Sequence, residues 1–151
     1  IGRGSFEEQR RTIETNVIGA MATIDAAAAY FYERGRGHIV GTSSVAAFRG
    51  LPGNAAYSAS KAALTTYLEA LRAEAWGRGI DVTVLHPGFI DTSLNDMLPS
   101  RPFLITVERG GRIIADMIER RVRSKTVPVW PWNVIGRLLR VMPTRMLARG
   151  G

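Results

Sequence analysis

The pattern of apolar and polar positions predicts one long helix in the first part of the chain. Ser5 and Glu8 form an S-x-x-E pattern that is typical of a helix start, and Gly35 is typical of a helix end. The apolar positions between them recur at roughly helical intervals, at Phe6, Ile13, Val17 and Ile18. Residues 5–34 are therefore expected to form a single helix with this stripe on its inner side.

Two more helices are expected further along the chain. The second runs from about Asn54 to Trp76 and ends at Gly77. Its inner stripe is expected to consist of Leu64, Tyr67, Leu68 and Leu71, and its solvent-facing positions of Glu69, Arg72 and Glu74. The third runs from Thr106 through Arg121, with an inner face of Val107, Gly110, Ile113, Ile114, Met117 and Ile118.

Short runs rich in β-branched residues alternate with these helices. Residues 38–42 and 80–85 predict buried strands. Residues 126–129 predict an edge strand, because Pro128 lacks the N–H that a central strand needs. Strands that alternate with helices are typical of an α/β fold with a parallel sheet.

Two further segments, residues 93–103 and 131–151, are expected to form a lid and a C-terminal tail. Residues 93–103 are rich in turn-forming residues around Met97 and Leu98, and they are expected to form a mobile lid over a substrate. The tail, residues 131–151, has apolar positions at helical spacing after Trp130 and Trp132, namely Ile135, Leu138, Leu139 and Met142. It predicts either a helix that packs on its own domain or a neighbouring subunit, or a basic amphipathic helix on an anionic membrane surface.

The formal net charge of +7 comes from the C-terminal part of the chain. Residues 120–151 contain eight Lys or Arg and no acidic residue, whereas residues 1–119 contain 12 basic and 13 acidic residues. Nucleic-acid binding by the whole chain is not expected, because its larger part offers no basic field. With no cysteine and only His38 and His86, disulfides, thiolate catalysis and histidine-based metal sites are not expected either.

Candidate chemistry lies where the second helix begins and the first strand ends. Tyr57 and Lys61 are four residues apart on the helix, so their side chains share one face. A cation beside a phenol favours the phenolate, which suits a general acid and base. Ser44 follows the strand, and functional groups gather at the carboxyl ends of strands in open α/β sheets. The turn-rich linker that follows is expected to present Val45, Phe48 and Leu51 to a substrate.

Four motifs, in this order and at this spacing, resemble the short-chain dehydrogenase/reductase family. They are Thr-Asn-Val-Ile-Gly around Asn16, the run from Gly37 to Ser44, Tyr57-Ser58-Ala59-Ser60-Lys61, and His86-Pro87-Gly88 with Thr92. The resemblance implies a partial Rossmann-type fold, the C-terminal half of a doubly wound parallel sheet. The family's N-terminal βαβ unit, with its glycine-rich turn, has no counterpart here. We therefore expect residues 1–130 to be the C-terminal part of an NAD(P)-binding catalytic domain in a longer protein, followed by the tail.

The resemblance also implies roles for individual residues. The implied catalytic residues are Asn16, Ser44, Tyr57 and Lys61, with Asn16 supporting a water path that returns protons to the lysine. The implied cofactor contacts are Tyr57, Lys61, Pro87, Gly88, Ile90 and Thr92. Substrate contacts are expected from Ser44, Val45, Phe48 and Leu51, and no metal is implied. The cofactor is NAD or NADP, since the residues that choose between them are expected outside this chain.

The implied activity is an NAD(P)-dependent interconversion of a ketone or aldehyde and an alcohol, with Tyr57 as general acid and base. The expected substrate is small and apolar, the expected assembly a homodimer or tetramer, and the expected location the cytoplasm, with possible membrane association. Three other interpretations stay open. These are a non-catalytic fragment or oligomer-forming remnant, a nucleotide-sugar epimerase or dehydratase that shares Tyr-x-x-x-Lys, and a peripheral membrane module built on residues 131–151.

Overall fold

The computed structural model describes residues 1–2, 4–93, 98 and 100–148. In chain order its elements are α1 (Phe6–Ile13), a π-helical segment (Glu14–Gly19), α2 (Ala20–Arg34), β1 (Gly37–Thr42), a 3-10 turn (Val45–Phe48), α3 (Ala55–Glu74), β2 (Ile80–Pro87), α4 (Val107–Glu119), β3 (Ser124–Val127), α5 (Trp132–Val141) and α6 (Thr144–Leu147). Of the expected lid, residues 94–97 and 99 lie outside the described residues, and Met97 is one of them.

The three strands form a parallel sheet in the order β1-β2-β3. Helices α2 and α3 pack on one face of the sheet and α4 packs on the other. Parallel strands with helices on both faces define a doubly wound α/β fold, so the predicted fold class is confirmed. The carboxyl ends of β1 and β2 lie side by side, with Thr42 paired to Leu85. The candidate site lies at this end of the sheet.

The core has two parts because neighbouring residues of a strand point to opposite faces. On one face, the fully buried Leu68 of α3 packs with Val82 and Val84 of β2. On the other face, Leu85 of β2 packs with Met117 of α4 and with the edge strand. The predicted stripe of α3 is buried at Leu64, Leu68 and Leu71, while Tyr67 is half-buried.

The first helix differs from its prediction. It begins after Ser5 as expected, but the Ser5 side chain makes no capping hydrogen bond. The predicted stripe is largely outside the core, since Phe6 and Ile18 are exposed and Ile13 and Val17 are half-buried. The π-helical segment Glu14–Gly19 accounts for part of this, because a wider turn shifts the phase of every later position.

Three further details of the sequence prediction are wrong. Arg72 is half-buried rather than fully solvent-facing, because its long side chain lies against the sheet and donates to the carbonyl oxygens of Val82 and Arg123 at 2.9 and 2.5 Å. Val107 is exposed, since it occupies the first position of α4, just beyond the apolar contact. The edge strand is Ser124–Val127, so it begins two residues earlier than predicted and ends before Pro128.

The described part of the tail forms helices α5 and α6, and α5 packs on its own domain, while residues 149–151 lie outside the described residues. Trp132 is 5% exposed, and the backbone of Gly136 lies against the ring of Phe48. The buried side of α5 therefore differs from the predicted stripe, in which Leu138 is 55% exposed. Among the residues that the structure describes, no helix is long and apolar enough to cross a membrane.

Candidate active site

The first turns of α3 bring the phenol of Tyr57 and the ammonium of Lys61 together. Their spacing of one helical turn places Lys61 Nζ 5.7 Å from the centroid of the Tyr57 ring. The ammonium also donates a hydrogen bond of 3.0 Å to the carbonyl oxygen of Thr42, the last residue of β1. The predicted pairing of Tyr57 with Lys61 at the carboxyl end of the first strand is therefore present in the fold.

The surroundings of Lys61 weaken its hold on the proton. Its side chain is half-buried between α3 and β1, and burial lowers the pKa of the Lys61 ammonium. Its hydrogen-bond partner among the described residues is the uncharged Thr42 carbonyl. Because Lys61 has no carboxylate partner among the described residues, its positive charge can act on a neighbouring oxyanion.

The serines after β1 have different surroundings. Ser43 faces α3, where its hydroxyl donates to the carbonyl oxygen of Lys61 at 2.9 Å and lies 2.8 Å from the Thr65 hydroxyl. Ser44 faces the end of β2, with its hydroxyl 3.5 Å from the carbonyl oxygen of Pro87. Ser44 Oγ also accepts from the N–H of Ala46 and so caps the 3-10 turn. Ser43 therefore links the end of β1 to α3. Ser44 places its hydroxyl between the carboxyl ends of β1 and β2.

Asn16 is connected to the same helix through a buried serine. Its side-chain N–H donates to Ser60 Oγ at 3.1 Å, and Ser60 Oγ donates to the carbonyl oxygen of Tyr57 at 2.7 Å. Ser60 is 0% exposed, whereas Asn16 is half-buried, so the Ser60 end of this chain of hydrogen bonds is shielded from water. Asn16 lies within the π-helical segment, and such irregular turns occur frequently at functional sites.

The turn after β2 is packed against the tail. A methyl group on Gly88 would lie 2.1 Å from Nε1 of Trp132, so the indole rests directly on the Gly88 backbone. Gly88 is one of the expected cofactor contacts, and the group that the structure places against its backbone is the indole of Trp132. His86 is buried beside this turn, where Nε2 lies 3.1 Å from Ser124 Oγ, and burial lowers its pKa.

A large cleft of about 1190 Å³ opens beside Tyr57. Its lining includes residues of α1, the linker and first turns of α3, and α6, among them Ser5, Glu8, Leu51, Tyr57, Thr144 and Leu147. Of the expected substrate contacts, Leu51 lines this cleft. Arg49 fixes its α6 wall by donating to Met142 O and Thr144 Oγ1 at 3.2 and 3.3 Å.

The expected substrate contacts Val45 and Phe48 pack within the domain, and their contact with a substrate stays a prediction. Neither is among the described residues that line the cleft. Val45 is buried, because the 3-10 turn folds it against the strand ends. Phe48 lies between His86, with ring centroids 4.9 Å apart, and the guanidinium of Arg140, 4.7 Å from its ring centroid.

The expected cofactor contacts beyond Gly88 lie on a short bridged segment. Ile90 pairs with Ile105 in an isolated parallel bridge, which holds the segment beside α4. Thr92 is exposed two residues further on. Sequence reasoning missed three residues that contact the expected site residues. Thr42 accepts a hydrogen bond from Lys61, Ser60 accepts one from Asn16, and Trp132 packs on Gly88. Only Ser60 carries a sequence signal, because it lies inside the Tyr57–Lys61 motif.

Comparison with known sequences agrees with this arrangement. A profile described as short chain dehydrogenase matches residues 2–102. An uncharacterized oxidoreductase of Mycobacterium tuberculosis is 39% identical over 150 residues, which are 99% of this chain and 59% of that protein. An uncharacterized oxidoreductase of Myxococcus xanthus is 42% identical over 140 residues, which are 91% of this chain and 54% of that protein. The chain thus spans little more than half the length of these relatives.

Comparison with solved structures gives the same result. A short chain dehydrogenase from Burkholderia cenocepacia in complex with NADP superposes with a TM-score of 0.80 at 26% identity, over 96% of this chain and 60% of that chain. A short chain dehydrogenase from Mycobacterium paratuberculosis bound to NAD superposes with a TM-score of 0.66 at 26% identity, over 81% of this chain and 55% of that chain. Because the family profile covers more than half of the residues and the fold agrees, the chain belongs to the short-chain dehydrogenase family of oxidoreductases.

Proposed function

We propose that the protein is an NAD(P)-dependent oxidoreductase that interconverts a ketone or aldehyde and the corresponding alcohol. The observation that carries this proposal is the position of Lys61, whose ammonium lies 5.7 Å from the centroid of the Tyr57 ring. The ammonium can therefore stabilise the negative charge that Tyr57 carries once it has donated its proton. A phenol that gives up and recovers its proton readily is suited to general acid and base catalysis on an oxygen.

The residues at this edge of the sheet suit a nicotinamide dinucleotide. An ammonium has three N–H donors, and the hydrogen bond from Lys61 to the Thr42 carbonyl uses one of them. Lys61 therefore has donors left for the hydroxyls of a ribose. The proposed contacts with the nicotinamide end are Tyr57, Pro87, Gly88, Ile90 and Thr92. When bound, this cofactor supplies the hydride for reduction or accepts it in oxidation.

The protein residues handle the oxygen and its proton. In the direction of reduction, the Ser44 hydroxyl donates a hydrogen bond to the substrate carbonyl oxygen and stabilises the negative charge that develops there. Tyr57 donates its proton to the same oxygen. Lys61 stabilises the phenolate that remains, and Asn16 supports the return of a proton through water. In the direction of oxidation, the same groups act in reverse.

The proposal extends to the organisation of the protein. Residues 1–130 form the C-terminal part of the catalytic domain, and residues 131–151 form a basic tail. Apolar residues along the cleft beside Tyr57, such as Leu51 and Leu147, favour a small apolar substrate. The exposed apolar side chains Phe6 and Ile18 on the first helix favour pairing of copies into a dimer or tetramer.

Substitution of Tyr57 tests this proposal in the protein at its full native length. Tyr57→Phe removes only the phenolic oxygen, so kcat should fall by at least about 100-fold, the usual contribution of a positioned acid or base. Nicotinamide binding, followed by cofactor fluorescence, should persist. Tyr67→Phe is the matched control, because Tyr67 lies later on α3 and packs against the core. Turnover by Tyr57→Phe at the rate of this control would refute the role of Tyr57.

A further inference from the structure

Helix α5 has a second apolar face that is largely exposed in the part of the chain that the structure describes. Trp132 and Gly136 lie on its buried face. The opposite face carries apolar side chains three to four residues apart, which are 40% exposed at Val134, 55% at Leu138 and 78% at Val141. Trp130, just before the helix, is 71% exposed. We call Trp130, Val134, Leu138 and Val141 the outer stripe.

The outer stripe is surrounded by positive charge. Arg137 is exposed between Val134 and Leu138, and Arg145 is exposed just beyond the helix. Neither arginine forms an ion pair with any residue that the structure describes. Within residues 131–148 the basic residues are Arg137, Arg140 and Arg145 and there is no acidic residue, so this segment supplies no carboxylate to balance them.

We propose that the outer stripe and its arginines bind the surface of an anionic lipid bilayer, with α5 lying parallel to that surface. Exposed apolar side chains enter the boundary between headgroups and acyl chains, and Lys or Arg beside them contact lipid phosphates. Trp130 suits this boundary, because an indole has a large apolar body and one polar N–H. A helix of ten residues is about 15 Å long, which allows it to lie on a bilayer but not to cross one.

Other occupants match only half of this surface. A second copy related by a two-fold axis would cover the apolar side chains, but it would bring Arg137 of both copies together without an acidic partner. Nucleic acid would match the arginines, but it would leave Leu138 and Val141 against phosphates and water. An anionic bilayer matches both the apolar and the basic parts.

Vesicle co-sedimentation of the full-length protein tests this proposal. The vesicles contain phosphatidylcholine alone or a 3:1 mixture of phosphatidylcholine and phosphatidylglycerol. Binding should appear on the mixed vesicles, stay weak on phosphatidylcholine alone, and weaken at high salt. Arg137→Gln should lower the partition coefficient about fivefold, the usual effect of one basic residue at a charged surface. Fluorescence quenching by brominated lipid should be strong in the wild type and largely lost in Trp130→Phe.

The matched pair of variants is Val141→Glu and Val107→Glu. Both residues are exposed, at 78% and 50%, so neither substitution disturbs the core. Val141→Glu should lower binding roughly tenfold, because it places a carboxylate in the apolar boundary, whereas Val107→Glu on α4 should bind like the wild type. Equal binding by Val141→Glu and the wild type would overturn the proposal. So would a lipid-free dimer that Val141→Glu dissociates, since the stripe would then belong to a second copy, or binding to duplex DNA in preference to vesicles.

Discussion

Glycine 136 offers a sharp test of how the C-terminal helix is attached. It lies inside α5, where alanine is a better helix former than glycine by about 1 kcal/mol. A methyl group at this position, however, would lie 2.5 Å from two carbons of the Phe48 ring. That ring cannot swing away freely, because His86 and Arg140 lie close to it, 4.9 Å and 4.7 Å from its centroid. Gly136→Ala must therefore push α5 away from the turn after Ser44.

The expected magnitude follows from these two opposing effects. Overpacking by one methyl group in a filled contact costs about 1–3 kcal/mol, and the helix preference returns about 1 kcal/mol. Gly136→Ala should thus lower the free energy of unfolding by about 0–2 kcal/mol. The matched control is Gly111→Ala in α4, where an added methyl group would meet nothing within 4 Å. This control should raise the free energy of unfolding by up to about 1 kcal/mol.

Urea denaturation of the full-length protein measures both substitutions under the same conditions. The difference between the two variants, about 1–3 kcal/mol, isolates the contact of Gly136 with Phe48 from the helix preference that both substitutions share. In thermal denaturation it should appear as a separation of about 2–12 °C. If Gly136→Ala stabilised the protein as much as Gly111→Ala does, α5 would not pack on Phe48 as described.

Two other predictions concern buried groups near the strand ends. In urea denaturation, Trp132→Phe should lower the free energy of unfolding by at most about 2 kcal/mol, and Trp132→Ala by about 3–5 kcal/mol. The reason is that the buried indole N–H has no hydrogen-bond partner among the described residues, so packing of the ring supplies the stabilisation. Burial lowers the pKa of His86, so below about pH 6.5 the unfolded state binds a proton that the folded state excludes, and the free energy of unfolding should fall between pH 7 and pH 5. His86→Asn should flatten this profile, and an unchanged slope would show that His86 titrates normally in the fold.

The parts of the site that depend on short-range spacing could be predicted from the sequence. Tyr57 and Lys61 meet because any α-helix brings positions four apart to one face. The strand runs were found within two residues, because glycine and β-branched residues mark them clearly. The parallel order followed from the alternation of helices and strands, since parallel neighbours need a crossover between them.

Features that depend on distant parts of the chain could not be predicted in this way. The π-helical segment around Asn16 has no local signal, and its wider turn changed the direction of the apolar positions Val17 and Ile18, although not that of Phe6, which precedes it. Arg72 was assigned to solvent by its charge, but its partners are backbone carbonyls of strand β2 and of Arg123. Phe48 was assigned to the substrate by its place in the linker, but a helix nearly ninety residues later covers it.

Two glycines show how the tail is coupled to the candidate site. Gly88 was interpreted as a point of ligand approach, yet the indole of Trp132 fills the space that a side chain would take. Gly136 provides the reciprocal contact, where α5 lets the ring of Phe48 touch its backbone. The first contact lies at the turn after β2 and the second at the turn after Ser44, so α5 is docked on both strand ends that carry the site. Because close-packed contacts transmit displacement, we expect that a movement of α5 would also displace these two turns.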